Sequence, residues 1–502
     1  MQVKEISNHP PYTLSDRKRA AFRRHQVSMD VMTAPATPIS PHVDAPYQAQ
    51  QAAPDLATRF QPYPGVAYFS TSFGYRDFLQ TVAGLRTRGS RGALGLSLRL
   101  PDFEARRQLR GQTQPAARRA TSATYLGYLK RECALQGQLF SGMNRIEHLR
   151  WHGVGATTLS GAQIGSLMQH LRQWFQFAPD AIGEQAIEVD AVRVTTQQIE
   201  ALRRAGFNHA QVVLDNFDWQ RTDQPDPHRM LRDTLAGIRQ LQAASFRSIH
   251  VDLMIGCTQN LMILARTLKA LIEARVDRIV LQWARSADAT AVDATPPTER
   301  ATRRDQEDRT LHAQSVWQLN QAGYINLGMD YFVRPGDPLA VAQTQGRLHT
   351  NLDGFSARSD YDVIACGVGA ISAIAAIYTK NVDGLEAYYD QIDANTLPIA
   401  SGIALDMDQA LRRTVMQLLM CNLSLSIAAI EQAYPITFAA YFAAELVTLK
   451  RFGRDGLLTV DTEWISVSAS GRLQIRTICQ LFERTSGAVS AMCLIGAQQL
   501  DG

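Results

Sequence analysis

"QAIEVDAVRVTTQQIEALRRAGFNHAQVVLD", residues 185–215, decides the fold. Its two ends are short apolar runs with β-branched residues, Ile187 and Val189 in the first, Val212 and Val213 in the second. Between them "TTQQIEALRRAG" brings Ile199 and Leu202 to one side at helical spacing. A strand, a helix and a second strand in this order make a crossover, which sets the two strands parallel. The same rhythm runs from about residue 90 to 330. Further strand runs are "ALGLSLRL", "IEHLRWHG", "SIHVDLMIG" and "DRIVLQWA"; helical runs include "TYLGYLKRECALQGQLF", "GAQIGSLMQHLRQWF" and "QNLMILARTLKALIEA". Six or so such units predict an α/β fold, a partial or full (β/α) barrel, with chemistry at the C-terminal strand ends. The loops after Leu100 and Trp151, and Glu188, Asp190 and Asp252, are therefore expected to share one mouth.

Outside that rhythm the chain changes character. Residues 1–55 carry seven prolines with little periodicity and are expected to be a mobile N-terminal extension. Residues 56–380 are assigned to the barrel with its flanking segments, and 381–485 to a mostly helical unit ending in a two-stranded wing, "GLLTVDTEWISVSASGRLQIRTICQLF". A tail, 486–502, follows. At 502 residues, 45% hydrophobic and 20% charged, the chain has the composition of a globular protein of two to four domains. It has no apolar run of about 18 residues and no signal-like start, so the expectation is a cytoplasmic protein without a membrane span. The six cysteines stand far apart, which is neither a disulfide framework nor a local metal-ligand pattern. Nine arginines crowd between Arg86 and Arg119, and a single aromatic residue, Phe103, is too little interleaving for base stacking. A solvated face is expected there, not a nucleic-acid site.

Longer motifs carry a resemblance. "RFQPYPG", "IEVD", "VDLMIG", "INLGMDYFVRPGDP", "DVIACGVGAIS", "FAAYFAAEL", "DGLLTVD" and "GRLQIRTIC" run in order from Arg59 to Phe482. In these the chain resembles the oxygen-independent coproporphyrinogen III dehydrogenase (oxidase) family, radical S-adenosylmethionine enzymes of haem biosynthesis. The resemblance implies a radical-SAM-type barrel with a C-terminal helical, winged-helix-like domain. It also implies a [4Fe–4S] cluster held by three thiolates of C-x-x-x-C-x-x-C, with S-adenosylmethionine on its fourth iron.

In "LSLRLPDFEARRQLRGQ", residues 96–112, this chain departs from the pattern. Set on the family's loop, Phe103, Arg107 and Arg110 take the three thiolate positions, and Gln112 that of a further cysteine. A benzyl ring and two guanidinium groups cannot hold iron, which needs soft anionic sulfur. Ser97 stands for the family's aromatic residue and Arg99 for its histidine. The Gly-Gly-Gly-Thr-Pro that accepts the cofactor's amino group corresponds to His152-Gly153-Val154-Gly155-Ala156. The glutamine after the fourth strand becomes Asp215. Gly153, Gly155, Glu188 and Asp252 are thus the remnant of an adenosyl site. No catalytic residue and no metal ligand is assigned.

Three readings stay open. One is a family member without radical chemistry whose cavity binds a porphyrin, haem or adenosyl ligand, with Arg334 and Arg358 pairing with tetrapyrrole carboxylates and His349 a candidate haem ligand. Another is an active enzyme converting coproporphyrinogen III to protoporphyrinogen IX. The third is a non-enzymatic protein that binds a protein partner. A metal on His152, or a displaced cluster on Cys366, Cys421 and Cys479, is set against plainer roles in hydrogen bonding and packing.

Overall fold

The computed structural model describes residues 63–87, 94–101, 121–142, 145–179, 183–214, 226–255, 261–283, 297–358 and 361–483. Helix α1 (Tyr75–Thr87) leads into strand β1 (Leu94–Arg99). Then come α2 (Ser122–Leu139), β2 (Arg145–His152), α3 (Gly161–Trp174), β3 (Glu184–Val189), α4 (Thr196–Ala205), β4 (His209–Leu214), α5 (Pro227–Ala243), β5 (Ser248–Ile255), α6 (Leu261–Glu273) and β6 (Arg278–Trp283).

The unit read first from sequence forms because both its ends are specified. The Thr195 hydroxyl caps α4 by accepting from Gln198 N, and the Gln198 side chain reaches back to Thr195 N. Gly206, at φ +109°, ends the helix in a conformation that a side chain would strain. Ile199, Leu202 and Ala205 are buried.

Strands β1 to β6 lie side by side and parallel. The sheet continues beyond them. A helix, α7 (Pro297–Gln321), precedes the antiparallel pair β7 (Ile325–Gly328) and β8 (Tyr331–Val333), and β8 joins β6. A separate hairpin, β9 (His349–Asn351) with β10 (Gly354–Ser356), comes next. On the other side β11 (Asp362–Cys366) runs parallel to β1, followed by antiparallel β12 (Ile371–Ile374) and β13 (Ile377–Asn381). After α8 (Leu385–Asp393), β14 (Ile399–Ala404) finishes that edge. The order β14-β13-β12-β11-β1-β2-β3-β4-β5-β6-β8-β7 does not close on itself, so the barrel is partial. The sheet also runs past residue 380, where the sequence placed a boundary.

One face of the parallel strands packs under the helices. Leu94, Leu96, Leu98, Leu149, Trp151, Ile187, Val189, Val212, Val251 and Leu253 join one apolar core. A second core, Tyr63 with residues from Leu411 to Phe482, is built on α9 (Met407–Asn422) and the small antiparallel sheet of Ser424–Ser426, Leu458–Val460 and Trp464–Val467. That sheet realises the wing expected from sequence. The residues expected to form the N-terminal extension and the tail lie outside the described residues. No helix among the described residues is long and apolar enough to cross a membrane.

Candidate ligand site at the strand ends

Side chains alternate along a strand, so the face of β1–β6 opposite the helices carries every second residue. In this chain most of those residues are polar: Ser97 and Arg99, then His148, Arg150 and His152, Glu184 and Glu188, His209 and Gln211, His250 and Asp252, and Arg278; Ala186, Val213, Met254 and Val280 share the face. Register sets Arg99 beside His152, Glu188 beside Gln211, and Gln211 beside His250.

At the C-terminal strand ends three of the four expected residues meet. Glu188 Oε2 accepts from Gly153 N at 3.0 Å, which ties the turn after β2 to β3. Gly153 and Gly155 lie where a side chain has no room: an added Cβ would stand 2.4 Å from Leu100 O at the first and 2.2 Å from Pro101 O at the second. Their close approach is to the protein's own backbone. Asp252, the fourth, lies further along the same face and is buried. Gln211 Nε2 donates to its Oδ2 at 2.6 Å, and His250 Nε2 lies 2.8 Å from Oδ1. Burial pushes the Asp252 carboxyl up, but the His250 charge and these donors outweigh it and hold it below its ordinary value. Asp190 caps the turn after β3 and pairs with Arg193.

The hairpin β9–β10 supplies a residue that the sequence did not single out. The turn residue Asp353 reaches the inner face of β2: Arg150 Nη1 donates to its carbonyl at 2.6 Å, and His152 Nε2 stands 3.0 Å from Oδ1. Burial pushes the Asp353 carboxyl up, and His152 with Arg150 more than reverses it. His152 is thus the partner of a half-buried acid. His349, in the same hairpin, pairs in the ladder with Ser356.

Arg334 and Arg358 lie at the other end of the sheet. Arg334 pairs with Asp277, the residue before β6, at 3.7 Å, and Arg358 with Glu147, early in β2, at 3.6 Å. Nearby, buried Arg278 donates to Asp337 at 2.8 Å, and His148 stacks on Tyr361 with ring centres 4.0 Å apart. Burial raises Glu184, yet His209, Arg278, His148 and Arg150 outweigh it and bring it to about 2. Burial lowers His209 itself to about 4, so at neutral pH the guanidinium groups balance that carboxylate.

The model of the HemN C-terminal domain matches residues 405–473. The chain is 34% identical over 433 residues to the oxygen-independent coproporphyrinogen III oxidase of Escherichia coli strain K12, covering 85% of this chain and 92% of that one. The chain belongs to the oxygen-independent coproporphyrinogen III oxidase family. The Pseudomonas aeruginosa enzyme of that name is 32% identical over 372 residues, 73% of this chain and 80% of its own. The solved structure of the E. coli enzyme, described as a radical SAM enzyme, superimposes with a TM-score of 0.70 at 32% identity, over 84% of this chain and 96% of that one.

Family membership implies a [4Fe–4S] cluster and S-adenosylmethionine, and among the described residues the donors do not fit the cluster. Leu100 to Thr121 contains no cysteine; Phe103, Arg107, Arg110 and Gln112 lie outside the described residues. The described thiols, Cys133, Cys366, Cys421 and Cys479, are all buried. Burial raises Cys366 and Cys479, which keeps them protonated and poor ligands. Cys366 belongs to the first core and Cys479 to the second. Among the described residues no three His, Cys, Asp or Glu side chains are arranged to hold a metal ion.

Sequence reasoning missed Gln211, His250, Arg150 and Asp353. The first three carried a signal, since they fall on the same alternation as Glu188 and Asp252. Asp353 carried none.

Proposed function

We propose that this chain is a tetrapyrrole-binding member of the coproporphyrinogen III oxidase family that performs no radical chemistry. The single observation that carries the reading is the composition of one loop. Where the family resemblance puts C-x-x-x-C-x-x-C, this chain has Phe103, Arg107 and Arg110, with Gln112 beyond them. None supplies a thiolate, and the two arginines add positive charge where a cluster with anionic ligands would lie.

The neighbouring turn supports the same conclusion. Val154 puts a branched side chain in the former glycine run, and His152 gives its imidazole to Asp353. Glu188 and Asp252 keep carboxylates that suit a ligand's hydroxyl or N–H donors; Glu188 is already held by Gly153 N, and Asp252 by Gln211 and His250. In this reading the ligand site outlasts the cofactor, and its occupant is a porphyrin or haem. Arg334 and Arg358 are not used, because both pair with acids at the far edge of the sheet.

Anaerobic reconstitution with iron and sulfide tests the proposal. The expected result is a colourless protein that makes no 5′-deoxyadenosine from S-adenosylmethionine under reduction. A brown protein with one cluster per chain that makes deoxyadenosine overturns it.

A second reading, an active oxidase forming protoporphyrinogen IX, is favoured by likeness along 92% of the E. coli enzyme's length. Expression in a haem-requiring strain grown without oxygen separates the two. No growth is expected, and growth would restore the second reading.

A further inference from the structure

Arg99 ends β1 at the mouth and is the one exposed residue of that strand. Its surroundings fix its stem. Gly367, at φ +110°, comes so close that an added Cβ would lie 3.3 Å from Arg99 Cβ and 2.8 Å from Arg99 O. The loop bearing that glycine is itself tied down. Glu132 Oε2 accepts from Gly367 N at 2.7 Å, and Tyr125 Oη accepts from Val368 N at 3.1 Å while donating to Arg99 O at 2.7 Å. At the tip, Arg99 Nη1 donates to Gly369 O at 3.3 Å.

A guanidinium has five N–H donors and a full charge at any physiological pH. Gly369 O satisfies one donor and none of the charge. The described acids around it are engaged elsewhere: Glu188 by Gly153 N, Asp353 by the His152 imidazole, Glu132 by Gly367 N, Asn381 and Tyr388, and Asp383, beside Gly369, by Lys380. Among the described residues Arg99 forms no ion pair, whereas the buried Arg278 is matched by Asp337 at 2.8 Å. Among the described residues the mouth thus holds an oriented cation without an ion pair, on a stem that folding has already ordered. Little side-chain freedom remains to be lost when an anion arrives.

We infer that Arg99 is an anion-binding residue of the mouth and pairs its guanidinium with a carboxylate of the bound ligand. The inference rests on the tetrapyrrole reading above and names the residue that meets the ligand's acidic rim.

Coproporphyrin III, which carries four propionates, is the probe. It is titrated into full-length wild type, R99Q and R99K, followed by absorbance and fluorescence, with melting temperatures measured in parallel. R99Q is expected to melt with wild type and to bind about tenfold more weakly, the scale of one charged hydrogen-bonded contact. R99K is expected to fall between them. Raising salt from about 0.05 to about 0.5 M should weaken wild type more than R99Q, since the pair lies at an exposed mouth. R99Q binding as tightly as wild type, with the same salt response, overturns the role of Arg99 and leaves the tetrapyrrole reading standing. Wild type that binds no coproporphyrin overturns that reading and this inference together.

Discussion

At the N-terminal edge of the sheet, charges are matched inside the protein. Arg278 meets Asp337, Arg334 meets Asp277, Arg358 meets Glu147, and Glu184 lies among arginines and histidines. At the mouth Asp353 is held by the His152 imidazole and Glu188 by the Gly153 backbone N–H, while among the described residues Arg99 has only a carbonyl. The two ends use the same residue types for opposite purposes. One is a closed electrostatic structure that would lose by the removal of any member. At the other, Arg99 forms no ion pair among the described residues, as the proposed contact with an anion requires.

The largest effect that could break this contrast is at the closed end. Removing Asp337 by Asp337→Ala strands the buried Arg278 guanidinium and also removes the side-chain cap on Leu339 N. A loss of about 3–5 kcal/mol is expected from urea midpoints. A loss under about 1 kcal/mol would mean that the far edge is no more committed to structure than the mouth.

Next is Glu132, fully buried behind the mouth, accepting from Gly367 N, Asn381 Nδ2 and Tyr388 Oη, each at 2.7 Å. Burial, against these donors, raises its carboxyl from 4.5 to about 7. A raised acid favours the folded state while protonated. That contribution is therefore complete below about pH 4.5 and is lost as pH climbs to about 7. The span corresponds to about 3 kcal/mol. Stability measured from pH 5 to 8 should fall by much of this in wild type and stay flatter in Glu132→Gln. Parallel curves for the two proteins would remove Glu132 as the source.

Asp353→Asn should cost about 1–3 kcal/mol, because it weakens a partly buried charged contact with His152 and spares the Arg150 bond to the Asp353 carbonyl. The smallest change is expected for Arg99→Gln. Its melting midpoint should stay within about 0.5 kcal/mol of wild type, as for an exposed residue outside any ion pair. A larger loss would move Arg99 to the structural side of the contrast.

Much of this was legible in the chain. Capped helices between β-branched runs gave the parallel strands, and the polar residues at every second position in "IEHLRWH" and "SIHVDLM" already lined one face. Three of the four remnant-site residues, Gly153, Gly155 and Glu188, do gather at the strand ends, with Asp252 deeper on the same face. Asp353 stayed hidden because its role depends on a hairpin 201 positions after His152 folding back against β2. Glu132 stayed hidden as well, since an acid in the middle of a helix looks solvated until Tyr388 and Asn381 arrive from far along the chain. Arg334 and Arg358 were chosen for their chemistry, and sequence gave no sign of which end of the sheet they would occupy.

The pair of glycines after β2 has a bearing on how such loops are compared among relatives. Positions 153 and 155 are barred to larger residues by carbonyls of the adjoining segment, at Leu100 and Pro101, whatever the protein binds. Glycine retained at these two places is therefore a mark of chain crossing and says nothing about a nucleoside guest.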